Sequence, residues 1–281
     1  MIDCHTHVLD PDRFPFTADT YRPHAGECGN LEQFLATLDR HQVSHAVVVQ
    51  PTSGYDRDHR CLLDALQRAG NRICGIARIL PQDARDSIGL LDVRGMRGVR
   101  IDPVKDGAQV CRHPDFAWLR DALRERGAVL QLQCEGDQLA ELLPLLGGDP
   151  PRIVIDHCGR PDPARGLSQP GFAATLELGR RGHFVKLSGP FRFSREPFPH
   201  ADADPYVSAL VDAFSAQRCV WASDWPFLRF ADAIGYDDAI AFGRRWVGDP
   251  DRLDAAARTL FGFDDAPALS AAGRAGARAA R

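Results

Sequence analysis

Apolar residues gather along the chain in eight short blocks rich in β-branched side chains. Between the blocks they recur only at every third or fourth position. The blocks read I-D-C-H-T-H (2–7), H-A-V-V-V-Q (45–50), I-C-G-I-A-R-I (73–79), M-R-G-V-R-I-D (96–102), A-V-L-Q-L-Q-C (128–134), R-I-V-I-D-H-C (152–158), H-F-V-K-L-S-G (183–189) and C-V-W-A-S-D-W (219–225). Runs of this kind suit strands covered on both faces, as in a parallel sheet. The intervening spacing predicts helices. Leu31, Phe34, Leu35 and Leu38 share one helical face, behind a capping box of Asn30 and Gln33. Leu62, Leu63 and Leu66 lead to Gly70; Phe116, Leu119 and Leu123 run between Pro114 and Gly127; Leu139, Leu142, Leu143 and Leu146 precede Gly147. A glycine in each of these places can close a helix. Val207, Leu210, Val211 and Phe214 make the helix before the last block.

One strand and one helix together take roughly thirty residues, the size of a βα unit. Eight such units predict an α/β fold of the closed (β/α)8 type, a TIM barrel, as a single domain over residues 1–263. Residues 264–281, rich in Ala, Gly and Arg, are expected to be a peripheral tail. The longer connections at residues 9–29 and 190–204 are expected at the C-terminal face, where they can form a lid.

In such a barrel the site collects where the strands end. His5 and His7 sit one residue apart and therefore share a side of the first strand. The sixth strand ends I-D-H-C-G-R-P, offering Asp156, His157 and Arg160, and the eighth ends A-S-D-W-P, offering Ser223 and Asp224. A lone strand-end histidine is commonly structural; three with an aspartate point to chemistry. Arg100, Arg160 and Arg192 also end or follow strands, with Lys105 just past the fourth. Converging cations suit an anion, because a guanidinium grips a carboxylate with two bonds.

Bulk properties narrow the partners. The 38 acidic against 34 basic residues leave a net charge of −4, so no basic field exists for nucleic acid. No apolar run approaches the ~18–20 residues of a membrane span. The chain enters a strand at once with Asp3 in it, so no signal peptide is expected. The 8 cysteines include no C-x-x-C, and they read as buried thiols of a cytoplasmic protein.

Strand-one H-x-H, a strand-six His and the Asp of S-D-W-P resemble the amidohydrolase superfamily. More closely, they resemble its lactonase branch, the pyrone-dicarboxylate lactonases. The resemblance also runs through V-V-Q-P-T-S (48–53), R-G-V-R (97–100), V-I-D-H-C-G-R-P (154–161), V-K-L-S-G-P-F-R (185–192), W-A-S-D-W-P (221–226) and L-F-G-F (260–263). It implies hydrolysis of a small anionic lactone resembling 2-pyrone-4,6-dicarboxylate. Asp224 would activate water, and His5, His7 and His157 would polarise the carbonyl. Arg100, Lys105, Arg160 and Arg192 would bind the substrate's carboxylates, with Ser53 as a hydroxyl donor and Tyr21 as a lid contact. Two positions depart from the branch: Phe227 stands where a His follows S-D-W-P, and Lys105 where an Arg is expected.

The binuclear members of the superfamily also use a Lys or Glu on strand four and a His on strand five. Here Arg100 lies near the end of strand four, and Gln131, Gln133 and Cys134 occupy strand five. Arginine cannot ligate a metal and, placed beside the site, would oppose a second metal ion. Metal-independent chemistry is therefore expected, with one Zn2+ on His5, His7, His157 and Asp224 as the competing expectation. The same residues would also suit a zinc-dependent amidohydrolase or decarboxylase, a sugar lactonase, or a catalytically silent anion-binding barrel. Lys186 reads either as a buried ion-pair partner or as a pocket residue. The sequence leaves monomer and homo-oligomer open.

Overall fold

Eight parallel strands lie side by side in chain order: β1 (Ile2–Thr6), β2 (His45–Val49), β3 (Ile73–Arg78), β4 (Met96–Ile101), β5 (Val129–Leu132), β6 (Arg152–Ile155), β7 (Phe184–Leu187) and β8 (Cys219–Trp221). The computed structural model describes residues 1–263, so the expectation for residues 264–281 lies outside the described residues. The ring closes just beyond β8, where Asp224 N donates to His5 O at 2.9 Å and His7 N to Trp225 O at 2.8 Å. The closure thus passes through candidate site residues. The TIM barrel read from the eight blocks is the fold observed.

Helices cover the outside: α1 (Leu31–Arg40), α2 (Arg60–Ala69), α3 (Ala84–Ser87), α4 (Pro103–Asp106), α5 (Asp115–Glu125), α6 (Gln138–Leu142), α7 (Pro170–Arg180), α8 (Asp204–Phe214), α9 (Tyr236–Val247) and α10 (Asp254–Phe261). The capping box of α1 forms in both directions, Gln33 N to Asn30 Oδ1 and Asn30 N to Gln33 Oε1, each at 2.9 Å. The leucine repeat at 139–146 does not make one helix. α6 stops at Leu142 and a 3-10 turn follows over Leu143–Leu146. Pro144 lies in that turn, lacks an N–H and crowds the preceding carbonyl, so it cannot continue an α-helix.

Two apolar layers result. Ala46, Val48, Val99, Ile101, Leu130, Leu132, Ile153 and Ile155 point outward against the helices. Ile2, Cys4, Val47, Val49, Cys74, Ile76, Val129, Val154, Phe184 and Val220 point inward. Ala256, Ala257, Leu260 and Phe261 of α10 join the inner set and stopper the N-terminal end of the barrel. The Met1 amino group holds that end through Asp251 and Asp254 at 2.7 and 3.2 Å. The strand ends carrying the candidate residues open on a cavity at the opposite, C-terminal end.

Simple alternation would aim His5 outward, because Ile2 and Cys4 already face in. The β1–β2 register shifts between Asp3 and Thr6 instead, so Cys4 and His5 both face the interior. An irregularity of this kind re-aims a side chain where a site needs it. Asp3 is turned outward, where it accepts from Ser223 N at 2.9 Å and Tyr236 Oη at 2.8 Å. Gly29 pairs with Leu9 across the first loop, and any Cβ there would strike the Trp225 ring at 2.1 Å. Trp225 in turn stacks on Phe34 of α1, with ring centroids 4.9 Å apart. This packing fixes the end of β8 beside the end of β1.

Candidate active site

Three imidazoles converge on one carboxylate at the C-terminal mouth. His5 Nε2 and His7 Nε2 each lie 3.9 Å from Asp224 Oδ1, and His157 Nε2 lies 3.9 Å from Asp224 Oδ2. All four residues are buried. The gaps are too long for direct hydrogen bonds. Among the described residues His5 Nε2 and Asp224 Oδ1 have no hydrogen-bond partner. An unpaired buried polar atom costs about 1–3 kcal/mol, so these two are directed at something that arrives.

The backbone is bent to present them. Asp224 has φ +71°, and the turn after β6 places His157, Cys158 and Arg160 at +48°, +57° and +44°. Non-glycine residues in the left-handed region cost about 1–3 kcal/mol each and cluster at functional sites. Gly189 lies against His157; a Cβ there would sit 2.9 Å from the ring's Nδ1.

Burial neutralises the histidines. Desolvation, then the charge of Arg100, pushes His7 down to about 3. Desolvation and Lys186 hold His5 well below the ordinary histidine value, and desolvation with His5 does the same for His157. Asp224 moves the other way: desolvation raises its pKa, against the Arg192 guanidinium that bonds it through Nε.

Beneath the imidazoles lies a buried polar layer. Lys186 Nζ is 3.0 Å from Asp156 Oδ1, 2.8 Å from Gln131 Oε1 and 3.1 Å from His5 Nδ1. Of the two readings left open for Lys186, the ion pair is the one observed, and it also touches the site.

Above the imidazoles, a cavity of about 430 Å3 is lined by Tyr21, Ser53, Arg100, Lys105, Arg160, Arg192, His7, His157 and Asp224, while His5 forms the floor behind them. The expected residues are thus brought together. Their charges are not equally free. Lys105 bonds Asp56 at 2.7 Å, and Arg160 pairs with Glu135 at 2.9 Å. Arg100 is 2% exposed and, among the described residues, bonds the Gln50 carbonyl at 2.7 Å and Gln133 Oε1 at 3.3 Å. No carboxylate among the described residues lies within ion-pair distance of it, and its Nε is unpartnered.

Arg229 was not singled out from the sequence. It lines the cavity with its guanidinium 4.0 Å above the Tyr21 ring, and no carboxylate among the described residues pairs with it. Its only signal was its place five residues after Asp224. Tyr21 Oη donates to the buried Glu27 at 2.8 Å, and Glu27 also accepts from Arg229 N. That contact ties the first loop to the turn after β8. Among the described residues no helix is long and apolar enough to cross a membrane.

A family model described as "Amidohydrolase" matches residues 2–259. The chain is 31% identical over 262 residues to a 4-sulfomuconolactone hydrolase of Rhizobium radiobacter, covering 91% of this chain and 82% of that protein. It is 32% identical over 253 residues to an L-fucono-1,5-lactonase of Burkholderia ambifaria, covering 83% of each. A solved structure from Acinetobacter baumannii, named "probable 2-pyrone-4,6-dicarboxylic acid hydrolase" and holding citric acid, superposes with a TM-score of 0.82. It is 27% identical and covers 93% of this chain and 99% of that one.

Proposed function

The chain belongs to the amidohydrolase family, and on that premise we propose that it hydrolyses a lactone carrying anionic groups, with Asp224 as the base and no metal ion. The observation that carries the reading is the unpaired Asp224 Oδ1 facing His5 and His7, with His157 beside Oδ2, under a rim of guanidinium groups.

Water bound against Asp224 attacks the lactone carbonyl. Its proton passes to Asp224 as the new C–O bond forms, and the carbonyl pair moves onto oxygen. His5, His7 and His157 surround the water and the developing oxyanion, where donors fixed in advance contribute most. The intermediate collapses, the ring C–O bond breaks, and the leaving oxygen takes the proton from Asp224. Giving up that proton returns Asp224 to its carboxylate state; the products are a hydroxyl and a carboxylic acid on one open chain, and the acid loses its own proton to solvent. Arg100, Arg160, Arg192, Lys105 and Arg229 hold the anionic substituents, and Ser53 and Tyr21 shape the entrance.

A divalent ion fits this donor set poorly. The second nitrogen of a ligating histidine normally donates to a carboxylate or carbonyl. His7 meets that condition, while His5 Nδ1 is shared between Asp156 Oδ1 at 3.2 Å and the Lys186 ammonium at 3.1 Å, so a cation already competes for it. Arg192 already occupies Asp224, and Arg100 adds a buried positive charge beside it.

A neutral sugar lactone is the second reading, favoured by the likeness to an L-fucono-1,5-lactonase. The cation set argues against it, since a neutral sugar leaves buried Arg100 without a counter-charge. The test is acid release at neutral pH from 2-pyrone-4,6-dicarboxylate, 4-sulfomuconolactone and L-fucono-1,5-lactone. Anionic lactones should exceed the sugar by about 100-fold in kcat/KM, the effect of ~3 kcal/mol of charge-assisted bonding. A preference for the sugar would sink the proposal.

A further inference from the structure

His5 and His7 leave β1 together, yet their Nδ1 atoms meet opposite chemistry. His7 Nδ1 lies 2.7 Å from the Val49 carbonyl oxygen. A carbonyl only accepts, so the ring donates through Nδ1. The ring is neutral at neutral pH, which leaves its Nε2 as a bare lone pair toward Asp224.

His5 Nδ1 lies between Lys186 Nζ at 3.1 Å and Asp156 Oδ1 at 3.2 Å. The ammonium has three protons. Three acceptors stand around it: Gln131 Oε1, Asp156 Oδ1 and His5 Nδ1. A proton on His5 Nδ1 would set two donors against each other and leave one ammonium proton buried without a partner. Asp156 needs no such proton, because Gln131 Nε2 serves its Oδ2 at 2.8 Å and Lys186 its Oδ1. All three ammonium protons and Asp156 find partners when His5 accepts at Nδ1 and carries its own proton on Nε2. That Nε2 is the atom found unpartnered opposite Asp224 Oδ1.

We propose that Lys186 is a positioning residue that sets His5 as an Nε2–H donor to the oxyanion, while the Val49 carbonyl sets His7 as an acceptor that orients the attacking water. The two histidines of H-x-H, equivalent in sequence, then do different work. The catalytic part rests on the lactone-opening reading; the tautomers do not.

The decisive measurement is a long-range 1H–15N correlation spectrum of histidine-labelled enzyme at neutral pH, with His5 assigned by its loss in His5→Asn. The expected result is Nε2–H for His5 and Nδ1–H for His7. In Lys186→Met, Asp156 Oδ1 is left as the acceptor facing His5 Nδ1, and the ring proton should move to Nδ1 to donate to it. Loss of one oxyanion donor then lowers kcat by about 10²–10³-fold with KM little changed. Adding Asp156→Asn supplies an amide donor to His5 Nδ1 and should restore both the tautomer and most of kcat.

Nδ1–H on His5 in the wild type would overturn the proposal, as an uncharged lysine accepting from His5 would produce. An unswitched tautomer in folded Lys186→Met would do the same. Should that variant not fold, the wild-type spectrum and the double variant decide. Correct tautomers without turnover on any lactone would instead refute the lactone-opening reading and leave the assignment standing.

Discussion

Replacing Arg100 with methionine separates binding from stability. Methionine keeps much of the buried length and removes the charge. In the protein Arg100 Nη2 bonds the Gln50 carbonyl at 2.7 Å, Nη1 reaches Gln133 at 3.3 Å, and Nε has no partner. The remaining N–H groups are available to a substrate anion. One or two charge-assisted bonds at about 1.5–3 kcal/mol each, discounted for solvent entering the mouth, give about 2–4 kcal/mol. That corresponds to about a 30- to 1,000-fold rise in KM for an anionic lactone. Stability should respond much less. Desolvation already lowers the Arg100 pKa, so losing the cation relieves a burial cost. Against this, the Gln50 carbonyl loses its partner, at about 1–3 kcal/mol. The two effects oppose, and Tm should move by no more than about 4 °C in either direction. Initial-rate kinetics and a thermal melt on the same preparation test this. A KM within threefold of wild type, or a collapse of the fold, would refute the claim that Arg100 is held for an absent anion.

Asp224→Asn should lower kcat by about 10³–10⁴-fold while calorimetry still detects substrate binding, because the general base is lost and the cation rim is kept; turnover near that of the wild type would remove Asp224 from its role. The acid limb of kcat/KM should lie above the ordinary carboxylate range of about 4, since desolvation raises the Asp224 pKa and the base works only when ionised, so activity falls as pH drops through that raised value. A limb at or below the ordinary range would contradict the burial argument. Dialysis against a strong chelator should leave turnover within twofold, and metal analysis should find no stoichiometric ion; chelator-sensitive activity restored by Zn2+ would reverse the reading. Arg229→Ala should raise KM for anionic lactones severalfold with kcat unchanged, and equal effects on a neutral lactone would show that its charge does not act.

The barrel was legible because a buried parallel strand has a strong signature: both faces are apolar, and Val47 to Val49 or Ile153 to Ile155 leave little else to be. The convergence of His5, His7, His157 and Asp224 was legible for a geometric reason, since residues that end strands in a closed barrel must meet. What stayed hidden depends on contacts between distant positions. The register shift of β1 follows from where Cys4 packs, and no local spacing encodes it. Arg100 at the end of strand four and Lys105 just past it look alike as cations, yet among the described residues one is left without a carboxylate and the other is tied to Asp56. That difference arises because Asp56, with φ +49°, is turned toward Lys105 and Arg78 from the far side of the β2 loop. Arg229 was passed over because it follows no apolar block; its place is set by Tyr21 and Glu27 from the first loop.

Lys186 shows why a structural and a functional reading of one residue need not compete. A buried ammonium–carboxylate pair is weak evidence of stability, because desolvation can exceed the attraction gained and an apolar pair of equal volume often does as well. The inner layer nearer the N-terminal end takes that apolar solution with Ile76, Val129, Val154 and Phe184. One step closer to the mouth, the same strands change to Gln131, Asp156 and Lys186, each fully buried and each bonded to another. The change falls at the level where His5 needs a fixed ring, and an apolar layer offers no hydrogen-bond partner for its Nδ1. The ionic layer is therefore placed where orientation matters more than the free energy of burial, and its cost is carried by the apolar packing below it and by the helices outside.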